Sequence, residues 1–136
     1  MRYIIILLFF SQYSTIGYSQ QISENDYSAY IQTLIGGERE VTIKGGRIDI
    51  VTEEYAIEVE KASKWKEAIG QSLWYALNTN KKAAIILILA KESDYKYLIQ
   101  LQTTIDYGNL AETITVFAFP NDFSELIEKK KTDNTR

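Results

Sequence analysis

Apolar residues recur along this chain with three different periods, and the changes of period mark its elements. Ser23 or Asp26 can cap a helix in which Tyr27, Tyr30, Ile31 and Leu34 share one stripe, and Gly36-Gly37 closes it near Ile35. Residues 38–44 alternate charged and apolar in strand fashion, Lys44-Gly45-Gly46 makes a tight turn, and residues 47–51 return as a second strand. Thr52-Glu53-Glu54 turns the chain into a third strand over 55–60. Trp65, Ala68, Ile69, Ser72, Leu73 and Ala76 then follow helical spacing, which predicts a helix capped by Ser63 and running to Leu77. Asn78-Thr79-Asn80 breaks it, and the unbroken apolar run 83–90 reads as a strand covered on both faces. A helix from about Ser93 to Tyr107, stopped by Gly108, and a strand over 113–119, stopped by Pro120, complete the pattern. Beyond Asp122 the spacing supports one or two amphipathic turns that fray through Lys129-Lys130-Lys131.

The resulting order, α-β-β-β-α-β-α-β, predicts one α/β domain over residues 20–120 and a tail over 121–136. A hairpin, a third strand and two helix crossovers imply a mixed central sheet with helices on both faces. A chain of 136 residues has room for little else.

Composition narrows the chemistry. The chain has no cysteine and no histidine, which excludes disulfides, thiol nucleophiles, His general bases and His- or Cys-ligated metals. Any metal must sit on oxygen ligands, which favours magnesium, manganese or calcium. The net charge of −3 does not announce a polyanion binder, so nucleic acid would need a local patch. Lys61, Lys64, Lys66, Lys81 and Lys82 could supply one. At the N-terminus, Arg2, the apolar run 4–10 and the small residues Gly17 and Ser19 read as a signal peptide over 1–19, cut near Ser19/Gln20. Cleavage would leave 14 Lys and Arg against 18 Asp and Glu, a charge of −4, and would place the protein in the periplasm or outside the cell; without cleavage it would be cytoplasmic.

The chemistry-bearing residues concentrate between 47 and 75. Alternation along the third strand puts Glu58 and Glu60 on one face, about 7 Å apart. On the second strand Asp49 shares its face with Arg47 and Val51, while Ile48 and Ile50 face the core. Three carboxylates converging there would repel one another, and a divalent cation relieves that repulsion, with the Val59 carbonyl as a further ligand.

The run Gly46-Arg47-Ile48-Asp49-Ile50-Val51, then Ala56-Ile57-Glu58-Val59-Glu60, then the helix with Gln71-x-x-x-Tyr75, resembles the PD-(D/E)XK nuclease superfamily in its RecB-like and resolvase-like branch. The resemblance covers roughly residues 26–118 in element order. It implies a restriction-endonuclease-like three-layer α/β/α fold and magnesium- or manganese-dependent hydrolysis of phosphodiester bonds, with DNA as partner and a homodimer as the expected assembly. It implies Asp49 and Glu58 as metal ligands and Glu40 as the upstream acid of some members. One departure is clear: the motif lysine should follow Glu58 by two residues, and Glu60 stands there. Lys61 points to the opposite strand face. Lys64 falls within roughly 40° of Gln71 and Tyr75 on a helical wheel, which makes it the substitute. In that scheme Glu60 adds a ligand or accepts a proton, Lys64 stabilises charge on phosphate, and Gln71 and Tyr75 support the site. The competing expectations are an inactive copy of the scaffold that binds nucleic acid or a protein, and an exported protein with no nucleic-acid role.

Overall fold

The computed structural model describes residues 21–134. The expected signal peptide, residues 1–19, lies outside the described residues. The elements are α1 (Glu24–Ile35), β1 (Glu38–Ile43), β2 (Gly46–Val51), β3 (Tyr55–Lys61), α2 (Trp65–Thr79), β4 (Lys82–Ile88), α3 (Tyr95–Tyr107), β5 (Ile114–Phe119) and α4 (Ser124–Asp133). This is the expected order with one more helix.

Ser23 does cap α1. Its hydroxyl accepts from the Asp26 N–H at 3.1 Å, and the Asp26 carboxylate accepts in return from the Ser23 N–H at 3.1 Å. This capping box satisfies two N–H groups that the first turn leaves open.

The five strands lie in the order β1-β2-β3-β4-β5. The tight turns make β1/β2 and β2/β3 antiparallel; the helical crossovers make β3/β4 and β4/β5 parallel. β4 runs through the centre, and its alternate residues feed two separate cores. Ala83, Ile85 and Leu87 pack with Trp65 and Ala68 from α2 and with Leu101 and Ile105 from α3. Ala84, Ile86 and Ile88 pack on the other face with Ile31 from α1 and with Phe123 and Ile127 at the C-terminal end. The result is a sheet sandwiched between two helical layers.

Three boundaries differ from the sequence reading. Ser63 caps nothing: residues Ala62–Lys64 form a 3-10 turn, and α2 starts at Trp65 without a side-chain cap. β4 begins at Lys82 and ends at Ile88, because Asp94 captures the N–H groups of Ala90 and Lys91 and draws the chain into a turn before α3. The tail does not fray after a turn or two. It forms a ten-residue helix, anchored where Phe123 (5% exposed) enters the core and where Asp122 accepts from the Ala118 N–H at 2.7 Å.

Residues 121–133 are thus part of the domain. Phe123→Ala is expected to cost about 3–5 kcal/mol, the range for a buried phenylalanine. Leu126→Ala, at an exposed position of the same segment, should stay within about 0.5 kcal/mol. Urea unfolding of both variants measures this, and equal losses would show that α4 is not anchored as described.

Candidate functional site

The site begins with an irregularity in the β1–β2 hairpin. In a regular strand, residues two apart share a face. Ile48 and Ile50 do not: Ile48 packs with Ala56 and Tyr75, whereas Ile50 packs with Ile31 and Ile57 in the core beneath α1. The twist falls at Asp49 and Glu40, the two positions left unpaired between Arg39↔Ile50 and Val41↔Ile48 in the β1/β2 register. Glu40 has φ 55°, a left-handed conformation that costs a non-glycine residue roughly 1–2 kcal/mol. Pairing between β2 and β3 is confined to Ile50↔Ile57 and Val51↔Ala56. Past those pairs the Asp49 side chain turns into the gap between the strands and accepts from the Val59 N–H at 2.8 Å. A carboxylate therefore replaces the backbone carbonyl that a longer ladder would have supplied.

This brings Asp49 to Glu58. The two carboxyls stand within hydrogen-bonding reach when one is protonated. Glu58 (5% exposed) and Glu60 (3% exposed) are fixed on β3, whose pairing with β4 runs without interruption from Tyr55↔Lys82 to Lys61↔Ile88. Glu58 Oε2 is buried with no hydrogen-bond partner in the protein. Burial, and then the Asp49 and Glu60 charges, push the Glu58 pKa up to about 9. Burial and the nearby Glu24 charge raise Glu60 to about 7. Asp49 is raised chiefly by burial, against the Val59 N–H that lowers it.

Glu24 is the acid that the sequence reading missed. It sits in the first turn of α1, reaches the Glu60 carboxyl, and its charge acts on Asp49, Glu58 and Glu60 alike. Glu40, the expected upstream acid, is exposed and faces Arg47 at 3.7 Å instead. The left-handed turn at Glu40 is what the hairpin needs from that position, and its carboxylate pairs with Arg47 rather than with the other acids. No local signal marks Glu24 out: an acid directly after the Ser23 cap is what the helix dipole favours in any helix.

Lys64 does reach the cluster, though from the 3-10 turn before α2 rather than from a helical face shared with Gln71 and Tyr75. Its ammonium lies 3.1 Å from Glu24 and 4.0 Å from Glu60. The bond to Glu24 and the charges of Glu24 and Glu60 raise its pKa, so it stays cationic. Gln71 and Tyr75 interact with each other. Burial and the Glu58 and Asp49 charges raise the Tyr75 pKa, while the Gln71 side chain and the Arg47 backbone lower it. The Gln71 carbonyl oxygen Oε1 is buried without a partner. Tyr75 also supports the hairpin: a Cβ on Gly46 would lie 3.0 Å from its ring, and the neighbouring Trp74 donates from Nε1 to the Lys44 carbonyl at 2.9 Å.

The acids form two linked pairs, Asp49 with Glu58 and Glu24 with Glu60. Among the described residues no three carboxylates form a ready-made cation cage. The donor set still suits a hard divalent cation: oxygen ligands only, one buried oxygen left unpaired, and like charges that raise one another's pKa. Asp49 and Glu58 would hold such an ion. The carbonyl expected to assist belongs to Val59, whose N–H positions Asp49. The proposed lysine patch divides. Lys82 pairs with Glu54 at 2.6 Å, and Lys81 donates to the Glu53 carbonyl at 2.8 Å. Both lie at the far end of the β3/β4 pair, about 20 Å from Lys61.

Comparison with known proteins gives partial likenesses. Three KilA-N domain-containing proteins of Acanthamoeba polyphaga mimivirus are similar to parts of this chain. One is 37% identical over 71 residues, 52% of this chain and 19% of the relative. A second is 42% identical over 60 residues, 43% of this chain and 24% of the relative. A third is 29% identical over 86 residues, 60% of this chain and 24% of the relative. The chain thus spans about a fifth to a quarter of the length of these relatives. No family model and no solved structure matches it significantly.

The raised pKa values set a sign for stability against pH. Between the ordinary value of 4.5 and about 9, folded Glu58 keeps a proton that the unfolded chain has released; Glu60 behaves alike between 4.5 and about 7. Folding then takes up protons, so the stability these two groups contribute is fully present below about pH 4.5 and is lost as pH rises, through about 7 for Glu60 and about 9 for Glu58. In EDTA, Tm is expected to fall from pH 5 to pH 9, and Glu58→Gln should remove most of that slope. A flat Tm across this range in the wild-type chain would contradict the cluster.

Proposed function

We propose that the protein is a divalent-metal-dependent nuclease on a restriction-endonuclease-like scaffold, hydrolysing phosphodiester bonds in nucleic acid. One observation carries the reading: Asp49 and Glu58, from neighbouring strands, meet in the gap where β2 leaves β3, with a Glu58 oxygen buried and unpaired. Two desolvated carboxylates at that spacing call for a proton or a cation. The likeness to KilA-N domain-containing proteins is compatible with a nucleic-acid partner.

The roles follow from placement. Asp49 and Glu58 hold the ion, and the Val59 N–H fixes the Asp49 rotamer. A bound magnesium or manganese ion supplies charge neutralisation and an acidified water. Glu60, raised to about 7, is suited to accept a proton near neutral pH. Lys64 presents a fixed positive charge beside it, and a phosphate entering the site can draw that ammonium away from Glu24. Gln71 and Tyr75 are positioning residues that brace the Asp49 strand.

A second reading has its own support. Glu60 occupies the place of the motif lysine, and Lys64 is already engaged by two carboxylates. A scaffold that binds nucleic acid without cutting it would show the same geometry.

Cleavage of supercoiled plasmid and single-stranded DNA by the full chain, with magnesium, manganese or EDTA, decides between them. The nuclease reading expects metal-dependent cutting that Asp49→Ala and Glu58→Ala each abolish. Lys64→Ala should lower kcat by about 10²-fold, the loss typical of one preorganised donor. Binding without cleavage under every metal condition selects the second reading.

A further inference from the structure

Beside the acid cluster, and not lined by its carboxylates, lies a separate cleft. That cleft, of about 460 Å³, opens over the carboxyl ends of β3 and β4, between the N-terminal ends of α1 and α3. Crevices at the carboxyl ends of parallel strands are the places where α/β sheets bind ligands. Lys61, Lys91 and Lys96 line it. None of the three forms an ion pair with a carboxylate among the described residues. The cleft's own carboxylate, Asp94, is turned to the backbone, where it accepts from the N–H groups of Ala90 at 3.0 Å and Lys91 at 3.2 Å. A chain of net charge −3 has thus collected three ammonium groups, none of them in a carboxylate ion pair among the described residues, around one opening. Tyr27 and Tyr97 stand on its walls, and the Lys96 ammonium lies 4.8 Å from the centre of the Tyr97 ring.

We infer that this cleft takes an unpaired strand of nucleic acid, with phosphates on Lys61, Lys91 and Lys96 and a base against Tyr27 or Tyr97. Cations that follow a backbone, interleaved with aromatic faces, are what a single strand needs, and stacking is indifferent to base identity. Size excludes a duplex. A volume of this order holds a nucleotide or two, whereas a double helix exposes its bases only through grooves. Lys61 follows Glu60 directly, and α1 carries Tyr27 on the cleft wall and Glu24 in the acid cluster. A strand leaving the cleft around the start of α1 therefore arrives at the acids. That delivery rests on the nuclease reading above; the binding does not.

The test is fluorescence anisotropy of the full chain with a labelled twelve-residue oligothymidine and with a blunt duplex of the same length, both in EDTA. The single strand should bind at least about tenfold more tightly than the duplex, as expected when only an unpaired base can enter the cleft and reach its aromatic walls. A triple variant Lys61→Ala, Lys91→Ala, Lys96→Ala should keep its Tm and circular dichroism, lose at least about tenfold in affinity, and lower the salt slope by about 2, near 0.7 per phosphate contact. The double variant Lys81→Ala, Lys82→Ala, at the far end of the strands, should change affinity less than about twofold, which separates a local track from bulk charge. Absence of binding, equal affinity for the duplex, or a triple variant with unchanged affinity and slope overturns the inference. Intact binding without cleavage in magnesium removes the nuclease reading and leaves this one standing. Cleavage with an unchanged KM in the triple variant removes this one alone.

Discussion

Mutual repulsion between Asp49 and Glu58 is the constraint around which the rest of the structure is arranged. Two carboxyls brought together away from water destabilise the fold unless something holds them, and each holding element is visible. β3 is fixed by a full parallel ladder with β4, so Glu58 cannot retreat. Asp49 is tied to the backbone of that same strand through the Val59 N–H. The two apolar cores on either side of β4 supply the stability that such an arrangement consumes. A domain of this size has only a narrow margin, and the acids draw on it directly.

The second organising feature is the separation of charge. The cluster of Asp49, Glu58, Glu60 and Glu24 is closed off on one side by Lys64, while Lys61, three residues earlier, faces the cleft. The 3-10 turn Ala62–Lys64 makes this possible, because it reverses direction between the end of β3 and the start of α2 within three residues. A regular helix starting at Ser63 would have placed Lys64 elsewhere.

Much of this was legible in the sequence, and the reasons are physical. Long periodic segments declare themselves: the α1 stripe, the apolar run of β4 and the α2 stripe were all placed within a residue or two. Alternation on β3 correctly put Glu58 and Glu60 on one face. What local pattern cannot carry is contact between distant segments. Glu24 joins the cluster only because α1 folds back across β3, and nothing in its own neighbourhood tells it apart from an ordinary first-turn acid. The twist at Glu40 and Asp49 was hidden because a glutamate is an unfavoured residue for a left-handed backbone. The alternation rule therefore assigned Ile48 and Ile50 to one core when they serve two. α4 was underestimated because its sequence is mostly charged, and its apolar anchors are Phe123 just before it and Ile127 within it.

The short pairing between β2 and β3 has a mechanical consequence. With two residue pairs joining the hairpin to the main sheet, side chains supply the rest of the seam: Asp49 bonds across it to the Val59 N–H, and Trp74 and Tyr75 meet the hairpin turn from α2. Glu58 sits within the full β3/β4 ladder, whereas Asp49 sits beyond the last β2/β3 pair. The separation of the two carboxyls therefore hangs on one side-chain bond, Asp49 to the Val59 N–H, where continuous backbone pairing would otherwise have set it.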